Sequence, residues 1–154
     1  MDRKNLRIGR KDFLEISQEI LEKGKQFSFI ARGTSMSPFI REGDTVVISP
    51  LSGPLSVGDI VLVRSEEGLI LLHRIIQYLP TGVVTKGDAV SEDDGFITAE
   101  DIFGKATQVS GDGFNFHLYF PFKYLISRRK VFDKIFLRFP LLKKLLKKIL
   151  RMPE

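Results

Sequence analysis

The chain has 154 residues, enough for one independently folding domain, and its 43% apolar and 28% charged content is ordinary for a globular protein. It has no cysteine, which excludes disulfides, thiolate metal sites and a cysteine nucleophile, and its two histidines, His73 and His117, exclude a histidine-rich metal centre. The net charge of +5 is unevenly spread: the last 34 residues carry eleven Lys or Arg against two acids, while the first 120 are net acidic at −4.

The N-terminus, MDRKNLRIGRKDF, has no apolar run behind its basic residues and does not read as a secretory signal. Residues 12–23 place Phe13, Leu14, Ile16, Ile20 and Leu21 mostly on one helical face. Asp12 with Glu15 is a capping-box pattern at the start, and Gly24 is a stop. From about residue 26 to 111 the chain reads as β structure. Strands are expected at 27–32, 45–49, 60–64, 69–78, 82–86 and 102–109, all rich in Val, Ile, Leu and Phe. Gly-Asp pairs at 43–44, 58–59, 87–88 and 111–112 punctuate them as tight turns. Strands do not alternate with helices, so a parallel doubly wound sheet is not expected. The division is 1–26 as an N-terminal helical segment, 27–112 as the core and 113–154 as an aromatic and basic C-terminal helical tail.

In that tail Leu141, Leu142, Leu145, Leu146, Ile149 and Leu150 occupy one half of a helical wheel, and Lys143, Lys144, Lys147, Lys148 and Arg151 the other. A basic amphipathic helix of this kind suits an anionic membrane surface, a docking face on a protein, or a solvated lysine face. No run reaches the roughly 18 apolar residues of a membrane span. The expected location is cytoplasmic and peripheral to the membrane. The acidic core lacks an interleaved basic and aromatic platform, which argues against nucleic acid as a partner.

Three segments carry groups that could do chemistry. Ser35 lies in a Gly33–Pro38 turn that can expose its hydroxyl and aim backbone N–H groups at an oxyanion. His73 is the sole histidine of the β core, and imidazole, with an unperturbed pKa of about 6.5, is a suitable base near neutral pH. Asp88 and Asp94 are both candidates to orient that imidazole, and Lys86 is a rival base.

Gly33-x-Ser35-Met36-x-Pro38, Gly43-Asp44, Val57-Gly58-Asp59-Ile60-Val61, His73-Arg74, Thr85-Lys86-Gly87-Asp88 and Asp93-Asp94, in that order, resemble signal peptidase I. They resemble, more broadly, the superfamily shared with LexA-type self-cleaving repressors. The closer likeness is to the endoplasmic-reticulum and archaeal type, which has His where the common bacterial enzyme has a catalytic Lys. It covers about residues 29–104. The resemblance implies a mainly β (α+β), compact sheet or barrel-like peptidase core, flanked by the N-terminal helix and the basic tail. It implies a serine endopeptidase with Ser35 as nucleophile, His73 as general base and Asp94 as the acid, Asp88 supporting the loop. The Ser35 N–H would serve the oxyanion with help from Gly33 and Thr34. The implied partner is a peptide or protein substrate, with no cofactor and no metal.

One feature differs from the family's members. Roughly thirty mostly polar residues precede Ser35, too few and too polar for the transmembrane helix of a signal peptidase or the DNA-binding domain of a repressor. The alternative is a catalytically inactive peptide- or membrane-binding module on the same fold.

Overall fold

The structure, a computed structural model, describes residues 9–111 and, as backbone, 114–117. The amphipathic tail helix expected at 141–151 lies outside the described residues.

Helix α1 spans Arg10–Glu22. Its N-cap is Gly9, in an extended conformation and with no side-chain cap. This corrects the expected Asp12 cap: the cap lies three residues earlier, which puts Asp12 in the first turn, where a carboxylate favours the positive end of the helix dipole. The C-terminal end is a Schellman motif. Gly24, at φ +70°, donates its N–H to Leu21 O at 2.9 Å, and Lys25 N–H reaches Ile20 O at 3.1 Å. The docked face runs through Phe13, Ser17 and Leu21, one side chain per turn, while Ile16 faces outward. Phe13 meets Phe27 and Phe29 edge-on at 6.0 and 5.5 Å between ring centroids.

Eight strands follow: β1 Phe27–Ile30, β2 Thr45–Ser49, β3 Ile60–Arg64, β4 Ile70–Leu79, β5 Gly82–Lys86, β6 Phe96–Thr98, β7 Ile102–Gly111 and β8 Phe114–His117. They form one antiparallel sheet in the order β1-β2-β7-β3-β4-β5-β6, with β8 beside β7. This is the mainly β core with one N-terminal helix that the sequence leads one to expect. β6 and β8, absent from that expectation, are three and four residues long. β8 lies within the segment read as tail.

β3 explains where the core sits. Ile60 and Leu62 enter one apolar cluster with Leu21, Met36, Ile40, Val46, Ile48, Ala106 and Val109. Val61 and Val63 enter a second with Ile75, Val83, Ile97 and Ile102. The strand is buried on both faces, hence its unbroken apolar run. α1 closes the first cluster, and Gly104 on β7 lets it approach. A Cβ there would lie 2.6 Å from Ile48 Cγ2, 2.9 Å from Ser49 O and 3.1 Å from Leu21 Cδ1.

Two of the Gly-Asp pairs share one construction. Gly43 and Gly58 take φ of +92° and +95°. The following Asp44 and Asp59 accept the N–H of Arg41 and Ser56, three residues back, at 2.9 and 3.1 Å. Gly87-Asp88 is different. Asp88 takes a bidentate pair from Arg74 on β4, Nε to Oδ1 at 2.7 Å and Nη2 to Oδ2 at 2.6 Å. Arg74 Nη1 also donates to Gly58 O at 2.8 Å, and the guanidinium stacks over Phe39. The side chains of this pair are only 6% and 7% exposed. It ties the β5–β6 connection to β4 and to the turn before β3.

Two substitutions test these contacts. Gly104→Ala should destabilise the fold by about 1–3 kcal/mol, because backbone and a strand-bound isoleucine must yield; urea unfolding reads it. Arg74→Met, which strands the buried Asp88 carboxylate, should cost about 3–5 kcal/mol, and Arg74→Met with Asp88→Leu should recover most of that. Equal losses in the single and double variants would refute the pairing as the cause.

Candidate active site

The residues after β1 form a series of turns. Gly33 takes φ +85°, a conformation that favours glycine, and Ser37–Pro38 is a cis peptide. Ser37 N–H bonds to Thr34 O, and Phe39 and Ile40 N–H groups both bond to Met36 O, at 3.0 to 3.1 Å. Met36 and Ile40 are buried and root the turn in the first apolar cluster. Ser35 sits half-buried on top of it. Its carbonyl accepts Ala89 N–H at 2.8 Å, which fastens the turn to the loop between β5 and β6.

His73 stands on β4 opposite Val61 of β3. Its Nε2 lies 3.0 Å from Ser35 Oγ, and its Nδ1 lies 2.7 Å from Asp94 Oδ2. An ionised carboxylate can only accept, so Nδ1 carries a proton and donates to Asp94. In the neutral imidazole Nε2 then holds the lone pair that accepts the Ser35 hydroxyl proton. The side chains of His73 and Asp94 are 8% and 12% exposed. The structure thus brings Ser35, His73 and Asp94 into one hydrogen-bonded line, with both spacings inside the reach of proton transfer.

The other residues singled out from the sequence go elsewhere. Asp88 is not a partner of His73, since Arg74 holds both of its oxygens. Lys86 Nζ donates to Val90 O at 2.9 Å, and no hydrogen bond between it and Ser35 or His73 is found. Gly33 and Thr34 form the exposed start of the turn. The hydrogen bonds internal to the turn use the N–H groups of Ser37, Phe39 and Ile40, and not that of Ser35.

Two residues matter here that the sequence reading quoted only as parts of a motif. Thr85 Oγ1 donates to Asp94 Oδ2 at 2.7 Å, and Thr85 O accepts Asp94 N–H at 2.9 Å. Its one advance signal is a hydroxyl directly after the apolar run Gly82-Val83-Val84. Gly87 packs directly on the line. A Cβ there would lie 2.7 Å from Ser35 O, 2.6 Å from Val90 Cγ2 and 3.1 Å from His73 Nε2. A side chain at this position would wedge the serine turn and the imidazole apart.

Among the described residues no group of three or more His, Asp or Glu is placed to hold a metal ion. Nor is any helix among them long and apolar enough to cross a membrane. A serine hydroxyl bonded to a neutral imidazole, itself fixed by a carboxylate, is an arrangement able to form a covalent acyl intermediate.

No curated protein matches the chain. The Peptidase S24-like family matches residues 4–85, over half of the chain, including the turn of Ser35, the strand of His73 and Thr85. With its antiparallel sheet and single N-terminal helix, the chain belongs to the Peptidase S24-like family, serine peptidases of the superfamily that also holds LexA and signal peptidase I.

Proposed function

We propose that the protein is a serine endopeptidase of the signal peptidase I type that hydrolyses peptide bonds through an acyl-enzyme on Ser35. The observation that carries this reading is the line Ser35 Oγ, His73 Nε2, His73 Nδ1, Asp94 Oδ2, with gaps of 3.0 and 2.7 Å. Ser35 Oγ attacks the scissile carbonyl carbon as its proton passes to His73 Nε2. The oxyanion is met by the Ser35 N–H in the turn that begins at Gly33 and Thr34. Collapse breaks the C–N bond, and His73 gives its proton to the leaving amine. Water, deprotonated by His73, then attacks the acyl carbon and frees Ser35. Asp94 stabilises the imidazolium in both half-reactions. The histidine on β4 favours the endoplasmic-reticulum and archaeal kind of signal peptidase over the lysine kind, and Lys86, occupied with Val90 O, is no substitute base.

The same reading places the enzyme at an anionic membrane surface, through the leucine and lysine faces of residues 141–151.

Cleavage is tested with a quenched fluorogenic peptide spanning a secretory-signal cleavage region. Ser35→Ala and His73→Ala should each lower the turnover by about 10³-fold or more with unfolding midpoints kept. Wild-type rates in both variants would leave a non-catalytic binding module as the better account. In liposome flotation, the chain should rise with anionic but not neutral vesicles and should stop doing so when residues 141–151 are deleted. Unchanged flotation after that deletion removes the membrane role of the tail.

A further inference from the structure

We infer that Thr85 is a positioning residue for the hydrolysis proposed above, a two-point clamp that holds Asp94 in line with His73; the inference rests on that reading.

Asp94 is carried by the loop between β5 and β6, whose residues 89–93 are all exposed. Loops of this kind move more than the elements they join. A carboxylate that must stay aligned with an imidazole to within a fraction of an ångström needs a rigid anchor. Thr85 is such an anchor. It is fully buried, and the β4–β5 ladder sets it opposite Ile75, itself fully buried. Its β-branched side chain has restricted χ1 freedom. It holds Asp94 at two places: the main chain, by Asp94 N–H to Thr85 O at 2.9 Å, and the carboxylate, by Thr85 Oγ1–H to Asp94 Oδ2 at 2.7 Å.

The oxygen chosen is informative. Asp94 Oδ2 is the same atom that accepts His73 Nδ1–H at 2.7 Å. A threonine that needed only to satisfy its own hydroxyl could bond a strand carbonyl. Here the hydroxyl instead fixes the acceptor of the imidazole. Two donors converging on one oxygen set the torsion of the carboxylate and leave little freedom for Oδ2 to swing away from His73. The clamp joins the sheet to the loop, and through Asp94 it fixes the ring orientation that presents Nε2 to Ser35.

The test uses the full chain with Thr85→Val, which keeps the branched shape and removes the donor, and Thr85→Ser, which keeps the donor. Each is assayed for kcat and KM on the fluorogenic peptide, and by NMR for the imidazole Nδ1–H signal of His73. The sequence has one other histidine, and His117→Gln assigns the signal. In Thr85→Val the Nδ1–H signal should broaden or move, and kcat should fall about 10- to 100-fold with KM within about threefold of wild type. Thr85→Ser should restore most of both. If Thr85→Ser is as impaired as Thr85→Val, the methyl group is what matters and the clamp is overturned. Wild-type signal and kcat in Thr85→Val overturn it as well. Should Thr85→Val not fold, the wild-type chain decides: a slowly exchanging Thr85 hydroxyl proton close to His73 Nδ1–H supports the clamp, and a freely exchanging one refutes it. Absence of wild-type cleavage would overturn the reaction, and the Nδ1–H signal would still judge the clamp separately.

Discussion

Arg74 carries a positive charge into the interior of a small protein, and that charge must be met there. Its guanidinium plane meets both oxygens of Asp88, the carbonyl of Gly58 and the ring of Phe39. Three regions distant in sequence converge on one side chain: the serine turn through Phe39, the turn before β3 through Gly58, and the β5–β6 loop through Asp88. A bidentate arginine–carboxylate pair is directional as well as strong, so it fixes where these regions stand relative to β4. His73 is the preceding residue on that strand, and adjacent strand residues point to opposite faces. The pair on one face therefore sets the framework within which the imidazole on the other face meets Ser35 and Asp94.

The longer elements of the fold were legible because their physics is local. β2, β3 and β5 have the bounds expected from their Val and Ile runs, and α1, β1, β4 and β7 differ only at their ends. β6 and β8 were not legible: β6 has only three residues, too few to carry a pattern, and β8, Phe114-Asn115-Phe116-His117, alternates but lies in the aromatic stretch read as the start of the tail. The helix start was misread for a similar reason: Gly9 enters the helix from an extended conformation with no side-chain cap, so no polar residue marks the boundary.

Ser35 and His73 were legible as chemistry, since a serine in a glycine and proline turn and a lone core histidine both stand out. The choice between Asp88 and Asp94 was open on residue type alone. Both follow a Gly or Asp in the same loop, and what separates them is the guanidinium of Arg74, which takes one and leaves the other to the imidazole. Thr85 was nearly invisible, because its meaning depends on which atom its hydroxyl reaches and not on its place in a motif.

The hydrogen bond from Ala89 N–H to Ser35 O has a mechanical consequence. The loop that supplies Asp94 is also tethered to the residue that supplies the nucleophile, so the two ends of the line share a support while His73 stands between them on a sheet strand. One nine-residue connection, residues 87–95, therefore touches the line at both ends: it contains Asp94, and its Ala89 holds the carbonyl of Ser35.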